Sequence, residues 1–296
     1  IVVHLDIAFD FFQPMDQLFD AMLYPPHSTV GRKARSELQT EEPYIAIPND
    51  IQAYITRDYH QIIPGRIPAF QAGFIVLRPN QQVFDEYVDL IREGHYVEGF
   101  GRENGWGGKG YGVVVGSMAM QGIVAYYYDH IRPNTMVELN GCRYNHMGAD
   151  IKYRGSPGWL ANRKDLHGRC RNGREYCEDC MNTSMALIKS VHYTNCRKPW
   201  NCAGEVFTKE QPKSEKGIDI SNTNFDHCML LHRRWHEYRT QFEDKLYALT
   251  RDATIMLGRR GHYKANIFQG HCDADHEYLA IHALPSSFSQ AHVLYG

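Results

Sequence analysis

The chain has 296 residues, 43% of them apolar and 22% charged, with 32 Lys and Arg against 34 Asp and Glu for a net charge of -2. That is the composition of a globular protein with one large core or two modest ones, and it excludes disordered and fibrous classes. Neither a basic stripe nor a basic tail is present, which argues against a nucleic-acid partner.

The chain opens on "IVVHL", an apolar run that predicts a buried strand over residues 1–5 ending at Asp6. A domain rarely begins inside such a run, so an N-terminal portion is expected to precede it, carrying any signal peptide or membrane anchor. Gln13-Pro14 predicts a turn. From Asp16 a short helix is expected, with Met15, Leu18, Phe19, Met22 and Leu23 at helical spacing until Pro25-Pro26 stops it. Residues 27–68 are polar and Pro-bearing, which predicts loops with one short strand near "YIAIP". The run "FQAGFIVLRPN" predicts a buried strand ending at Leu77. An amphipathic helix follows, capped by Asn80, striped by Val83, Phe84, Tyr87, Leu90 and Ile91, and ended by Gly94.

A strand, turn and helix feeding another strand is the pattern of a layered α/β domain, whose ligands gather at the carboxyl ends of strands. The Gly-rich stretch 99–112 reads as a mobile loop and lacks a phosphate-cradle spacing. Residues 110–128, "GYGVVVGSMAMQGIVAYYY", are uncharged and long enough to cross a bilayer. Their Gly, Ser, Gln and Tyr content favours a buried strand or helix. Residues 204–224 read as a linker and "CMLLHRRWHEYRTQFEDKLYALTRD" as one helix. The last 40 or so residues give no readable pattern.

Of eight Cys, six lie between Cys142 and Cys202, beside the sequon Asn182-Thr183-Ser184. This combination points to disulfides in a secretory compartment. A second reading takes Cys177, Cys180, His192 and Cys196 as ligands of a structural Zn²⁺ in an interaction module.

Three stretches in order, "HLDIAFDFFQPMDQLFDAML" (4–23), "FQAGFIVLRPNQQVFDEYVDLI" (70–91) and "VHYTNCRKPWNC" (191–202), resemble the glycogenin-like glycosyltransferases of family 8. That family's pattern is Leu-Asp-x-Asp, then Gln-Pro-x-Asp-x-Leu-Phe-Asp, then Phe-Asn-x-Gly and a late His-Phe-x-Gly-x-x-Lys-Pro-Trp. The resemblance is to its Cys-rich eukaryotic branch and covers roughly residues 1–202. It implies a Rossmann-like GT-A domain over 1–203, truncated at its N-terminus, then the linker 204–224 and a helical extension over 225–296. It implies a UDP-hexose donor, Mn²⁺, transfer with retention to a glycan or glycoprotein acceptor, and a Golgi-lumenal, type II membrane setting.

The metal ligands so implied are Asp6 and His192. Donor-binding positions are Asp6, Gln71, Gly73 and Lys198, and Gln121 and Lys198 stand at the reaction centre. A leaving diphosphate loads charge onto oxygens, and a divalent ion with carboxylate and imidazole ligands neutralises it, helped by a compact cation such as Lys198.

The sequence departs from the pattern at Ala8, where the second metal carboxylate would stand. It also has Gln71 and Ala72 for sugar-contacting residues, Met120 for the Asp before Gln121, and Asn195 for the Gly of the His motif. Along an extended strand Asp10 lies roughly 13 Å from Asp6, too far to share an ion unless the chain turns sharply between them. These departures give a further reading, a glycosyltransferase fold kept for a structural or interaction role.

Overall fold

A computed structural model describes residues 1–41, 43–44, 46–58, 68–99, 103–111, 116–148, 180–194 and Pro199, helical positions between 230 and 248, and two short strands at 270–272 and 278–280. The chain divides into two compact units. Residues 1–146, 180–183 and 188–192 belong to the first, and 147–148, 184–187 and the described residues from Tyr193 onward to the second.

The first unit is built on a four-stranded sheet in the order β1-β4-β3-β7, with β1 Val2–Leu5, β3 Ala53–Arg57, β4 Phe70–Leu77 and β7 Met136–Leu139. β4 runs antiparallel to both neighbours and β7 parallel to β3. The α/β class therefore holds, with a mixed sheet.

Alternation along the strands divides the core into two layers. Tyr54, Phe74, Val76, Val137 and Leu139 pack against helix α1 (Asp16–Leu23) and helix α2 (Thr29–Glu41). Ala53, Ile55 and Ile75 pack the other way, against helix α4 (Met120–Tyr126) and its π-helical continuation Tyr127–Ile131. Helix α3 (Gln81–Glu93) lies on that side too and contributes Val83, Tyr87 and Leu90.

Local signals survive into the structure. Asn80 caps α3, its side chain accepting from Gln82 N and Val83 N, and Gly94 ends the helix at φ 61°. That left-handed turn suits a residue without a Cβ. α1 buries Leu18, Ala21 and Met22, and β4 ends at Leu77.

Four expectations need correction. β1 is exposed, with Val2 at 51%, because β4 is its only strand partner among the described residues. Residues 27–68 hold α2 and β3. α2 was illegible because it turns only Gly31, Ala34 and Leu38 inward, and the strand lies at 53–57, not at "YIAIP". The stripe of α3 is only half used, since Phe84 and Ile91 stay exposed. Part of the Gly-rich stretch is ordered, as Gly105–Trp106 (β6) pairs with Tyr96–Val97 (β5).

No helix among the described residues is long and apolar enough to cross a membrane. The predicted linker 204–224 lies outside the described residues. In the second unit Tyr193 Oη donates to Leu231 O at 3.2 Å, and Arg234 lies over the Tyr238 ring. Gly270–Cys272 (β9) and Tyr278–Ala280 (β10) form an antiparallel pair within the stretch that shows no readable sequence pattern.

Glu41, the last residue of α2, ties three elements together. Its carboxylate accepts from Gln17 Nε2 at 2.8 Å and from Tyr144 Oη, and pairs with Lys189 Nζ at 2.9 Å. Burial alone raises its pKa, but the bonds from Tyr144, Lys189 and Gln17 outweigh that and hold it below the ordinary carboxylate value. A depressed carboxylate stabilises the fold above its unfolded pKa and loses that contribution as pH falls through the lower folded value. Glu41→Gln is expected to cost about 1–3 kcal/mol at pH 7. In urea unfolding its deficit should shrink at pH values below the ordinary carboxylate range, and an unchanged deficit at pH 3 would contradict this account.

Candidate functional site

The site begins where β1 ends. Asp6 N donates to Gly73 O at 3.0 Å, prolonging the β1–β4 ladder by one rung. The chain then turns at once. Asp6 Oδ1 accepts from Ala8 N at 3.3 Å, the local bond by which Asp initiates turns, and Ile7 is exposed at the tip. Emerging from the turn, β2 (Phe9–Phe11) pairs antiparallel with β8 (Ser190–His192), Phe9 opposite His192. A turn of two residues thus brings positions 186 apart in sequence face to face. Asp6 Oδ2 lies 3.2 Å from His192 Nε2.

His192 is buried, while the Asp6 side chain is 47% exposed, so the pair has a closed side and an open side. Gly73 makes the closed side possible. A Cβ there would lie 2.3 Å from His192 Nδ1 and 2.7 Å from Gln71 Oε1, a clash with both side chains. The glycine is needed for this close approach and not for its φ.

Gln71 Oε1 accepts from Gly73 N and from Asn145 Nδ2, the latter at 3.4 Å. Asn145 Nδ2 also donates to Thr56 Oγ1 at 2.9 Å. Gln121 Oε1 accepts from Ala72 N at 3.1 Å. The register explains why these groups meet here. Ile55 pairs with Ile75 but Thr56 with Gln71, so Ala72, Gly73 and Phe74 bulge out of the β3–β4 ladder. Bulges of this kind re-aim side chains, and here the freed backbone of Ala72 and Gly73 bonds to Gln121 and Gln71.

Asp6, Gln71, Gly73, Gln121 and His192 therefore gather at one end of the sheet. Lys198, Cys177 and Cys196 lie outside the described residues. Sequence reasoning missed Thr56 and Asn145, both buried polar residues. Their one signal was a polar residue closing an apolar strand and an Asn inside the Cys-bearing "GCRYNH".

The extended-strand geometry assumed between Asp6 and Asp10 does not hold, because the chain turns between them. Asp10 still does not join the pair. It sits opposite Val191, one residue from the Phe9–His192 rung and so on the other face, and its Oδ1 accepts from Phe11 N at 2.8 Å. Ala8 is 1% exposed, so its methyl is packed inside and does not face an open ligand position. Ala8→Asp is expected to bury an uncompensated carboxylate at roughly 3–5 kcal/mol. Its melting temperature should fall and stay low when Mn²⁺ is added, whereas recovery with Mn²⁺ would mean that position 8 can reach the pair.

A divalent ion fits two of these donors. Two ligands about 2.2 Å from one octahedral cation and at right angles are about 3.1 Å apart, close to the separation of Asp6 Oδ2 and His192 Nε2. Among the described residues no group of three or more His, Cys, Asp or Glu has metal-binding geometry, so the remaining positions would fall to substrate oxygens and water. The zinc reading loses a ligand, because Cys180 is bonded to Cys142. Asn182 of the sequon is exposed.

A groove of about 470 Å³ lies elsewhere in the unit, lined by residues that include Tyr44, Pro48, Asp129 and Glu138. Asp6, Gln71, Gly73, Gln121 and His192 are not among them. Its Glu138 pairs with Ile55 and shares the α4 layer, whereas Thr56 faces the α1 layer. Comparison of the chain with protein-family models, with curated proteins and with solved structures gives no match in any of the three.

Proposed function

We propose that the chain is a nucleotide-sugar-dependent glycosyltransferase that uses a divalent ion, Mn²⁺ in the first instance, held by Asp6 and His192. The observation that carries the reading is the 3.2 Å approach of Asp6 Oδ2 and His192 Nε2 at the open end of a sheet. The sequence motifs named above supply the chemistry. A UDP-hexose is the donor, transfer retains configuration at the anomeric carbon, and the acceptor is a glycan or glycoprotein.

Bound there, the ion acts as Lewis acid on the leaving diphosphate. The chain itself does the rest. His192 directs Nε2 at Asp6 Oδ2 with its ring packed against Gly73, and an ion bound between the two would take the place of the Nε2 proton. Asp6 offers a half-exposed carboxylate on the open side of the pair. Gln71 and Gln121 fix the bulged backbone between them. Lys198 is assigned by the resemblance to a phosphate oxygen. The fold is proposed as GT-A, and the Cys142–Cys180 bond and exposed sequon fit an oxidising secretory lumen such as the Golgi, in a type II membrane setting.

The test is titration of UDP-glucose, UDP-galactose and UDP-N-acetylglucosamine with Mn²⁺, coupled to an assay of UDP release. At least one donor should bind in a Mn²⁺-dependent way, and Asp6→Asn should lose that dependence. Failure of all three donors to bind would dispose of the proposal. Burial of Ala8 favours a second reading, a glycosyltransferase fold kept for a structural or interaction role. It predicts no Mn²⁺ bound and no UDP released, and measured turnover rules it out.

A further inference from the structure

Residues 142–146 form the wall on which β8 is laid. Lys189 N donates to Arg143 O at 2.7 Å, Ser190 Oγ to Tyr144 O at 2.5 Å, His146 N to Ser190 O at 3.0 Å and His192 N to His146 O at 2.9 Å. His146 and Val191 close a parallel bridge. The backbone of His192 is thus set by His146 on one side and by Phe9 on the other.

Both ends of this wall are anchored to one residue. Cys142 is bonded to Cys180 through sulfur, and His146, wholly buried, has Nε2 3.0 Å from the carbonyl oxygen of Cys180. A carbonyl oxygen only accepts, so His146 carries its proton on Nε2. Neither group touches the open side of the site, yet the peptide that carries His192 hangs from them.

We propose that the Cys142–Cys180 disulfide and His146 are positioning elements for His192, a strut that holds its imidazole against Gly73 and within reach of Asp6. This rests on the reading of Asp6 and His192 as the ion-binding pair. Groups behind a metal ligand fix its place and commonly change affinity tenfold to a hundredfold when removed. A displacement of even half an ångström at the ligand is enough to spoil such a site.

The experiment compares the full chain with Cys142→Ser/Cys180→Ser, His146→Ala and His146→Gln. Gln is chosen because its side-chain amide can still donate to the Cys180 carbonyl. Circular-dichroism melts establish that each variant is folded. Mn²⁺ binding is read by electron paramagnetic resonance of the free ion, without nucleotide. In the metal-free protein with labelled histidine, the nuclear Overhauser contact between the His192 ring and Gly73 Hα reads the ring's place directly.

The double Cys variant and His146→Ala should bind Mn²⁺ roughly tenfold or more weakly and lose the ring contact, and His146→Gln should return to within about threefold of the wild type. Folded variants that keep both wild-type affinity and the ring contact would overturn the proposal. If the double Cys variant does not fold, the His146 pair decides. If the wild type binds no Mn²⁺, the ion reading of the site fails while the ring contact still decides the strut.

Discussion

Gly73→Ala is expected to lower Mn²⁺ affinity by roughly tenfold to a hundredfold while leaving the sheet folded. The added methyl falls on the His192 ring and 2.7 Å from Gln71 Oε1, so ring or strand must shift. The strand has little room to do so. Gly73 O holds Asp6 N at 3.0 Å and Gly73 N bonds to Gln71, so a moving backbone disturbs both halves of the pair. If the ring moves instead, Nε2 leaves Asp6. Overpacking of this kind costs about 1–3 kcal/mol. A matched control is Gly141→Ala, whose Cβ would meet its nearest neighbours only at 4.0 Å. That variant should keep wild-type stability and affinity. Calorimetric titration with Mn²⁺ and thermal melts read both, and a Gly73→Ala protein that binds like the wild type would show that His192 is not held by this packing.

Arg57→Ala should produce a large loss of stability, about 3–5 kcal/mol. The guanidinium grips both oxygens of Asp129, at 2.6 and 3.0 Å, and Glu138 Oε2 at 2.8 Å. It also donates to Pro68 O at 2.9 Å and lies over the Phe70 ring at 4.3 Å. The Arg57 side chain is 10% exposed and its two acids 13% and 18%, so little water is at hand to replace it. Removing it leaves two carboxylates near each other in a poorly hydrated place. Burial first, then the charge of Asp129, holds the Tyr111 hydroxyl protonated far above its usual range, so it remains a donor to Asp129 and offers that carboxylate no positive charge. Arg57→Lys should recover little, since a point charge cannot replace a planar fork on two carboxylates and a ring. Urea unfolding measures the loss, and a change below about 1 kcal/mol would mean that solvent already screens the cluster.

Local chemistry was legible in the sequence. Asn80 and Gly94 mark the ends of α3 because caps act within one turn, and the periodicity of Leu18 and Met22 marked α1. The pairing of Asp6 with His192 was named from motif resemblance, and the geometry behind it was not. A reading that extended the strand through Asp10 could not find the turn at residues 7–8, which only the β2–β8 pairing imposes. α2 was missed because a helix packed along a narrow stripe and bathed in water elsewhere looks like loop.

What the sequence determined by itself is therefore the set of elements whose signals lie within a few residues, and the residue types able to hold a divalent ion. What tertiary structure decided is which of them meet. The bulge that leaves Gly73 open to a ring, the burial of Ala8 and the wall of residues 142–146 behind His192 all arise from contacts between segments distant in the chain. No local pattern encodes such contacts. Each depends on the registers that adjoining strands take and on the space those registers leave.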